Sequence, residues 1–281
     1  GFCLATCPTY VELGDERDSP RGRIVLMKDM LEKGGAPTDE QVFHIDRCLS
    51  CLNCKTACPS SVNYQRLVDQ ARIHIQEHYH RPLGDRLLRW IIAKVFTRPA
   101  LVRIGLLMAR LGAPIARLLP GRLGAMAKMG LIERPTGRPA THFPPPVLAP
   151  GAKALRIAIM PGCVQGVLAP QIDSAVGRVL ARRGIELVVL EGAGCCGALP
   201  HHMGREADSR AWARMAIEAF ERGRYDGVLT TATGCSAQLK DIAQQFAGDA
   251  VWEPRARAFA AASRDFLDLC TPMKATAPIA A

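Results

Sequence analysis

The stretch CLSCLNCKTACPS, residues 48–60, sets four cysteines close together in front of a proline. The four are Cys48, Cys51, Cys54 and Cys58. Two residues separate each of the first three, a spacing typical of a loop that wraps one [4Fe–4S] cluster. In proteins with two such clusters, the fourth cysteine binds the other cluster. A zinc site is the alternative, but zinc sites commonly pair two Cys-x-x-Cys motifs without a third cysteine and a following proline.

The chain begins GFCLATCPTY, and its Cys3-x-x-x-Cys7-Pro8 repeats the second half of that motif. By the same rule, Cys7 completes the ligand set of the first three cysteines of the longer motif. Cys3 and Cys58 then belong to a second cluster, whose two remaining ligands would lie upstream. We therefore expect one complete cluster site and half of another, as in a fragment of a longer protein. A chance placement of Cys3 and Cys7 is the alternative.

The cysteine content, the absence of targeting segments and the net charge indicate what kind of protein this is. Six of the eleven cysteines fall within residues 3–58 at short spacings, which indicates metal or cluster binding in a reducing compartment rather than a disulfide framework. No signal peptide and no apolar run long enough to cross a membrane is visible, so a cytoplasmic location is expected. The net charge is +10, and residues 81–140 hold twelve Lys and Arg but only two Asp and Glu.

The basic stretch has only two aromatic residues, Trp90 and Phe96, and no nucleic-acid-binding motif, so nucleic acid is not expected as a partner. We interpret residues 81–133 as a surface for a partner or for the anionic cytoplasmic face of the inner membrane, which would make the protein peripheral there. An ordinary solvated face of packed helices is the alternative.

The order of elements predicts an α+β protein of several domains. Residues 1–80 read as an all-α ferredoxin-like [4Fe–4S] domain whose cysteines lie on loops between helices. One helix should begin after Asp18 or Ser19, with a proline in its first turn, and stop at Gly34. Another should cover residues 62–79.

The rest of the chain divides into a basic part and an α/β part. Residues 81–152 read as two or three short helices and then, from residue 134, a Pro-rich linker. Residues 153–281 alternate apolar strands with helical patterns, which predicts an α/β cysteine-rich domain with a parallel sheet. Its predicted strands are LRIAIM, IELVVLE and DGVLTTA. Residues 247–281 should contribute one helix and an unstructured end.

A second group of cysteines follows these strands. It consists of Cys163, Cys195, Cys196 and Cys235. Because the carboxyl ends of parallel strands meet at one edge of a sheet, we expect these four to form one site. Isolated buried cysteines are the alternative. Cys270 stands alone near the end of the chain, and we expect it to be structural or free.

Cys195-Cys196-Gly197 with Cys163 before it and Cys235 after it resembles the cysteine-rich CCG domain of heterodisulfide reductases and related dehydrogenase subunits. The N-terminal phrases GFCLATCPTYVELGDERDSPRGRI and IDRCLSCLNCKTACPSSVNY resemble the iron–sulfur subunits of glycolate oxidase, as do HFPPP and GAGCCGALPHHMG. Two departures stand out. Such proteins usually carry two CCG domains, and their pattern often ends Cys-x-x-Cys, whereas here Gln238 takes the last position.

The resemblance implies an iron–sulfur electron-transfer subunit of an oxidoreductase, glycolate dehydrogenase. It would pass electrons from an FAD-containing partner toward a quinone or another membrane acceptor. No catalytic residue is expected here, because no flavin-binding motif or acid–base pair is evident. Two [4Fe–4S] clusters are implied for the full-length protein, and a further cluster or zinc for the CCG site.

Three other functions remain open: the same role in a lactate or anaerobic glycerol-3-phosphate dehydrogenase, a heterodisulfide-reductase-like thiol–disulfide enzyme, and a zinc-binding interaction protein. Two smaller features carry expectations about structure. The tripeptide Arg21-Gly22-Arg23 should begin the first helix and pair with a carboxylate. His201 and His202 should form a solvent-exposed helix start, with a place beside a metal site or cluster as the alternative.

Overall fold

A computed structural model describes residues 1–115, 124, 125, 128 and 140–270 of the 281-residue chain. The described residues form two compact units. The first unit contains Gly1–Arg89 and Leu199–Asp208. The second contains the described parts of Trp90–Ala198 and Ser209–Ala281. The boundaries at residues 80 and 152 that the sequence suggests stay predictions.

The first unit is helical, as predicted, and no strand occurs among its residues. Its N-terminal helices are α1 (Phe2–Ala5), α2 (Pro8–Leu13), α3 (Pro20–Lys33), α4 (Asp39–Asp46), α5 (Asn53–Thr56) and α6 (Tyr64–His78), with a 3₁₀ turn at Glu16–Asp18. Helix α7 (Leu83–Val95) begins in this unit.

Helix α3 forms as the sequence predicts. Ser19 is the N-cap, its hydroxyl accepts a hydrogen bond from the amide of Gly22, and Pro20 occupies the first turn. The helix ends at Gly34, which has a φ of 65° that a glycine adopts without strain. Gly22 is needed for a different reason, since a Cβ atom there would overlap the carbonyl of Glu16.

Helices α3, α4 and α6 enclose the core of the first unit. The buried side chains are Met27, Met30, Val42, Ile45, Val68, Ala71 and Ile75. Each large apolar side chain of this kind contributes about 1.5–3 kcal/mol when fully buried. Helix α4 was not predicted, although Thr38 and Gln41 form a capping box at its start.

The second unit is built on a four-stranded parallel sheet, which confirms the predicted α/β class. The strands are β1 (Leu155–Ile159), β2 (Ile185–Val189), β3 (Gly227–Thr230) and β4 (Ser263–Asp265), in the order β2-β1-β3-β4. Ile157 of β1 pairs with Leu187 of β2 and with Gly227 of β3. All four residues of β3 are buried, as expected for a strand covered on both faces.

The helices of the second unit pack around this sheet or precede it. They are α8 (Pro99–Gly112), α9 (Gln165–Leu168), α10 (Gln171–Arg182), α11 (Ala198–His202), α12 (Glu206–Arg222), α13 (Thr233–Lys240), α14 (Trp252–Ala262) and α15 (Phe266–Cys270), of which α11 and α12 are shared with the first unit. Helix α8 packs Val102 and Leu106 against Val167 of α9.

The prediction of a single helix in residues 247–281 was wrong. Strand β4 divides that region into α14 and α15, and its Ser263 pairs with Val228 of β3. Ala and Arg favour a helix locally, but the unpaired edge of β3 offers backbone hydrogen bonds that only the fold reveals. Residues 271–281 lie outside the described residues.

The basic stretch contains α7 and α8 and a short 3₁₀ turn at Ala113–Ile115, which agrees with the predicted two or three short helices. The part of that stretch beyond Ile115, and the first residues of the Pro-rich linker, lie outside the described residues apart from 124, 125 and 128.

Candidate functional site

The loop from Cys48 to Cys54 is bent by two residues in the left-handed backbone region. Ser50 has a φ of 52° and Leu52 a φ of 59°. Each such residue costs about 1–2 kcal/mol, because its side chain crowds its own backbone. A loop with two of them therefore needs support from outside.

Arg72 of α6 supplies that support. Its guanidinium donates one hydrogen bond to the hydroxyl of Ser50 and one to the carbonyl of Cys48, both at 2.5 Å. The side chain is buried, so these charged hydrogen bonds are shielded from water. Arg72 thus fixes the first half of the loop against a long helix.

Four cysteines line one cavity in the first unit: Cys7, Cys48, Cys51 and Cys54. Three lie on the bent loop or at the start of α5, and Cys7 is the buried N-cap residue of α2. Neither Cys3 nor Cys58 is among the described residues that line this cavity.

One thiol of this cavity is affected by the other three. Burial, and then repulsion from charge on Cys48, Cys51 and Cys7, raises the pKa of Cys54 to about 11. Iron ions remove such repulsion, because they bind the thiolate form. The cavity is also lined by Pro8, Leu49 and Leu52, so four soft ligands face a space with apolar walls, which fits a [4Fe–4S] cluster.

Cys3 and Cys58 lie in a neighbouring part of the unit. Cys3 is on α1, which packs against α5, and α5 ends two residues before Cys58. Their joint assignment to a second cluster stays a prediction.

The second unit brings the other four cysteines together beyond the carboxyl ends of three adjacent strands. Cys163 follows β1, Cys195 and Cys196 follow β2, and Cys235 lies in the first turn of α13 after β3. Gly194 between β2 and the cysteines has a φ of 70°, and a Cβ atom there would overlap the ring of Trp212. The turn therefore depends on glycine.

The thiols of this site, here called the CCG thiols, form a chain of contacts. Cys163 and Cys195 share a hydrogen bond, with 3.6 Å between their sulfur atoms. That bond and burial raise the pKa of Cys163 far above its ordinary value. It lowers the pKa of Cys195, but neighbouring Cys196 and burial outweigh it and raise that pKa to about 12. For Cys196, the lowering effect of Cys195 is outweighed by Cys235 and burial, so its pKa is raised as well.

The expectation that His201 and His202 form a solvent-exposed helix start was wrong. Both are partly buried in the first unit, and the Nε2 atom of His201 lies 3.1 Å from a carboxylate oxygen of Asp69 on α6. Burial and the charge of Arg72 lower the pKa of His202 to about 4. These residues follow the CCG cysteines in sequence but pack with the helix that supports the loop at Cys48.

Four residues around the first cavity were not recognised as site residues from the sequence. They are Asp18, Arg23, Tyr64 and Arg72. Arg23 was expected to pair with a carboxylate, and it does so with Asp18, while Arg21 pairs with Glu16. The spacing of Tyr64 and Arg72 could have identified them. Together with Val68 they share the buried face of α6, and an arginine rarely occupies such a face.

The comparisons with known proteins agree with this geometry. The family profile described as "4Fe-4S dicluster domain" matches residues 1–63, and the profile described as "Cysteine-rich domain", CCG, matches residues 157–240. The chain joins a 4Fe-4S dicluster domain to a CCG domain. This confirms the predicted fold class and supports iron–sulfur clusters as cofactors, while the number of clusters stays a prediction.

Relatives match across both domains. The "Glycolate oxidase iron-sulfur subunit" of Escherichia coli (strain K12) is 37% identical over 273 residues, which cover 96% of this chain and 63% of that protein. The "Probable glycolate oxidase iron-sulfur subunit" of Bacillus subtilis (strain 168) is 33% identical over 95% of this chain and 63% of that protein. The predicted resemblance to glycolate oxidase iron–sulfur subunits is thus confirmed, and the chain spans less than two thirds of their length.

A more distant relative matches only part of the chain. The "Lactate utilization protein A 2" of Bacillus cereus (strain AH820) is 27% identical over 36% of this chain and 42% of that protein. No solved structure matches the chain. Among the described residues, no helix is both long enough and apolar enough to cross a membrane.

Proposed function

We propose that this chain is an iron–sulfur electron-transfer subunit of a flavin-dependent glycolate oxidase or dehydrogenase. The observation that carries the proposal is the cavity lined by Cys7, Cys48, Cys51 and Cys54. A bound [4Fe–4S] cluster would supply a centre that takes up and releases one electron at a time. The residues of the chain have to bind it, orient it and keep water from it.

Each part of the dicluster domain has a role in this account. The four thiolates hold the cluster, and Arg72 keeps the loop that bears three of them in its strained shape. Leu49, Leu52 and Pro8 line the cavity and reduce its contact with water. Cys3 and Cys58 supply two ligands of a second cluster in the same domain.

The CCG thiols are proposed to bind a further metal centre, either an iron–sulfur cluster or zinc. Their contacts also favour a second function. Two thiols 3.6 Å apart, half-buried Cys163 and buried Cys195, are well placed for thiol–disulfide chemistry of the heterodisulfide-reductase kind.

Substrate oxidation is assigned to a partner. The chain shows no flavin-binding motif, so an FAD-containing subunit would oxidise the hydroxy acid and donate electrons to the clusters, which pass them toward a quinone. Glycolate is favoured because the relatives that match nearly the whole chain are named for glycolate oxidase. The partial match to a lactate utilization protein keeps lactate as the alternative, beside glycerol 3-phosphate.

A peripheral contact with an anionic membrane is proposed for residues 81–133. The described part exposes apolar side chains at helical spacing, Ile104, Leu107, Met108 and Leu111 on α8 among them, beside Arg103 and Arg110. Such a helix face fits the interface of an anionic bilayer. Flotation with vesicles of anionic and of neutral lipid tests this, and equal binding to both, or to neither, would contradict it.

The function itself is tested by metal analysis and EPR of the anaerobically reconstituted protein, followed by mixing with the flavoprotein and glycolate. We expect the protein to contain iron and to give a cubane EPR signal when the cluster is reduced. Glycolate should reduce the oxidised cluster only when the flavoprotein is present. Cys270→Ser, outside both sites, should behave like the wild type. Zinc without iron, or no reduction by the flavoprotein, would overturn the proposal.

A further inference from the structure

Two sulfur atoms of the proposed cluster site accept hydrogen bonds from buried side chains. Nη1 of Arg23 points to Sγ of Cys7 at 3.9 Å, and the hydroxyl of Tyr64 points to Sγ of Cys48 at 3.6 Å. Arg23 and Tyr64 also line the cavity itself. The two donors therefore reach different ligands of the same site.

Arg23 is held rigidly where its charge faces the cavity. Its side chain is 1% exposed, its Nε donates to the carbonyl of His44, and its Nη2 lies 3.2 Å from the carboxylate of Asp18. Asp18 is fully buried and is also bound by Arg47 at 2.9 Å. Arg23 and Arg47 share this one carboxylate, and Arg23 also reaches the sulfur of Cys7.

This ion pair is not explained by stability. A buried ion pair is often no more stabilising than apolar residues of similar size, because both charges lose their water. Asp15, Asp18 and His44 place possible metal-ligand atoms within 4.8 Å of one another, but both oxygens of Asp18 already bind arginines, so nothing points to a cation there. The position of Arg23 next to a cluster ligand is the remaining distinctive feature.

A neighbouring hydroxyl does not compete with Arg23 as the donor. Thr9 lies 3.2 Å from the sulfur of Cys7, but its single hydroxyl hydrogen is directed to the carbonyl of Asp18 at 2.9 Å. The Thr9 oxygen in turn accepts a hydrogen bond from Nη2 of Arg23. Once Cys7 is a thiolate, Arg23 is the charged donor that faces it.

Tyr64 offers one hydroxyl hydrogen to a neighbour. The side chain is 3% exposed, and the hydroxyl is directed at Cys48. A buried tyrosine hydroxyl usually finds a partner, and here that partner is a cluster ligand.

We propose that Arg23 and Tyr64 set the reduction potential of the cluster held by Cys7, Cys48, Cys51 and Cys54, and that they raise it by stabilising the reduced form. The proposal rests on the proposed function. Reduction adds one electron from the donor subunit and no proton, so negative charge on the sulfur atoms grows. Hydrogen bonds and a positive charge at those atoms then become more favourable, more strongly so because both donors are buried.

Tyr64→Phe is the decisive variant, because it removes only the hydroxyl. We expect the midpoint potential, from an EPR-monitored titration of reconstituted protein, to fall by about 59 mV, which is a tenfold change in a one-electron equilibrium. The matched control is Tyr79→Phe, whose hydroxyl bonds Asp39 instead of a cysteine and which should leave the potential unchanged. A Tyr64→Phe potential equal to that of the wild type would overturn the role of Tyr64.

Arg23→Met tests the charge and should lower the potential at least as much, with exposed Arg21→Met as its control. If Arg23→Met fails to fold, Arg23→Lys takes its place, because it keeps the charge and loses the forked hydrogen bonds. Arg23→Lys should lower the potential by a smaller amount. An unchanged or higher potential would overturn the role of Arg23. Failure of the proposed function is distinguishable, because it is seen in the wild type itself, either as a lack of iron or as a cluster that the flavoprotein does not reduce.

Discussion

The two cysteine sites of this chain each contain four thiols, but the thiols are arranged differently. In the dicluster domain, Cys7, Cys48, Cys51 and Cys54 surround a cavity. In the CCG domain the thiols contact one another, with 3.6 Å between the sulfur atoms of Cys163 and Cys195. Thiolates around a tetrahedral zinc are about 3.8 Å apart, as Zn–S bonds of about 2.3 Å require.

The difference shows how backbone support prepares a site for a cofactor of a given size. The dicluster loop is held open by Arg72 and by residues with left-handed backbone, so its shape suits a large inserted group. The CCG thiols meet at the ends of three strands, with 3.6 Å between the sulfur atoms of Cys163 and Cys195, so their spacing suits one small ion or a dithiol. The following predictions test this contrast.

Removal of one ligand from each site should have the largest effect. Cys54→Ser should abolish the cubane signal, since a cluster with a missing buried thiolate is not retained. Cys196→Ser should leave that signal and remove only the metal of the CCG site. Iron content and EPR of the two variants check this, and loss of the cubane signal in both would show that the sites are not independent.

Gly194→Ala should destabilise the CCG domain by about 2–4 kcal/mol, because it combines a left-handed backbone with an overlap at Trp212. The matched control is Gly248→Ala, at a φ of 83° with no atom within 4 Å of its added Cβ, which should cost only about 1–2 kcal/mol. Denaturant unfolding measures both. Equal losses would contradict the close packing at Gly194.

Arg72→Met should weaken the cluster loop without removing a ligand. It leaves the carbonyl of Cys48 without its charged donor, a loss of about 1–3 kcal/mol, so iron should pass to a chelator about tenfold faster than from the wild type. Arg66→Met, exposed on the same helix, is the control and should release iron at the wild-type rate. Equal rates in the two variants would refute the supporting role of Arg72.

The smallest effect is expected when the pH is lowered and the stability of the fold is measured. Because the pKa of His202 is lowered from 6.5 to about 4, the fold favours its neutral form, and the stability it contributes above pH 6.5 is lost as the pH falls toward 4. The loss should be on the order of 1–3 kcal/mol. His202→Gln should flatten the pH dependence of unfolding between pH 7 and 5, whereas exposed His80→Gln should not; a slope unchanged in His202→Gln would contradict the burial of this side chain.

The sequence predicted those features that depend on short stretches of chain. The spacing at Cys48, the cap and stop of α3, and the apolar runs of β1, β2 and β3 all carry local signals. Strand β4 carries no local signal of this kind, because its pairing with β3 depends on a sheet edge that residues distant in the sequence form. The contacts of Arg23 with Cys7 and of Arg72 with the loop likewise join residues 16 to 24 positions apart, which no periodic pattern encodes.

The most direct test of the account is the identity of the fourth ligand to the cluster held by Cys48, Cys51 and Cys54. Cys7→Ser and Cys58→Ser should be reconstituted side by side and compared by iron content and by EPR of the reduced state. The account predicts that Cys7→Ser loses the cubane signal and Cys58→Ser keeps it. Loss in Cys58→Ser with retention in Cys7→Ser would contradict it.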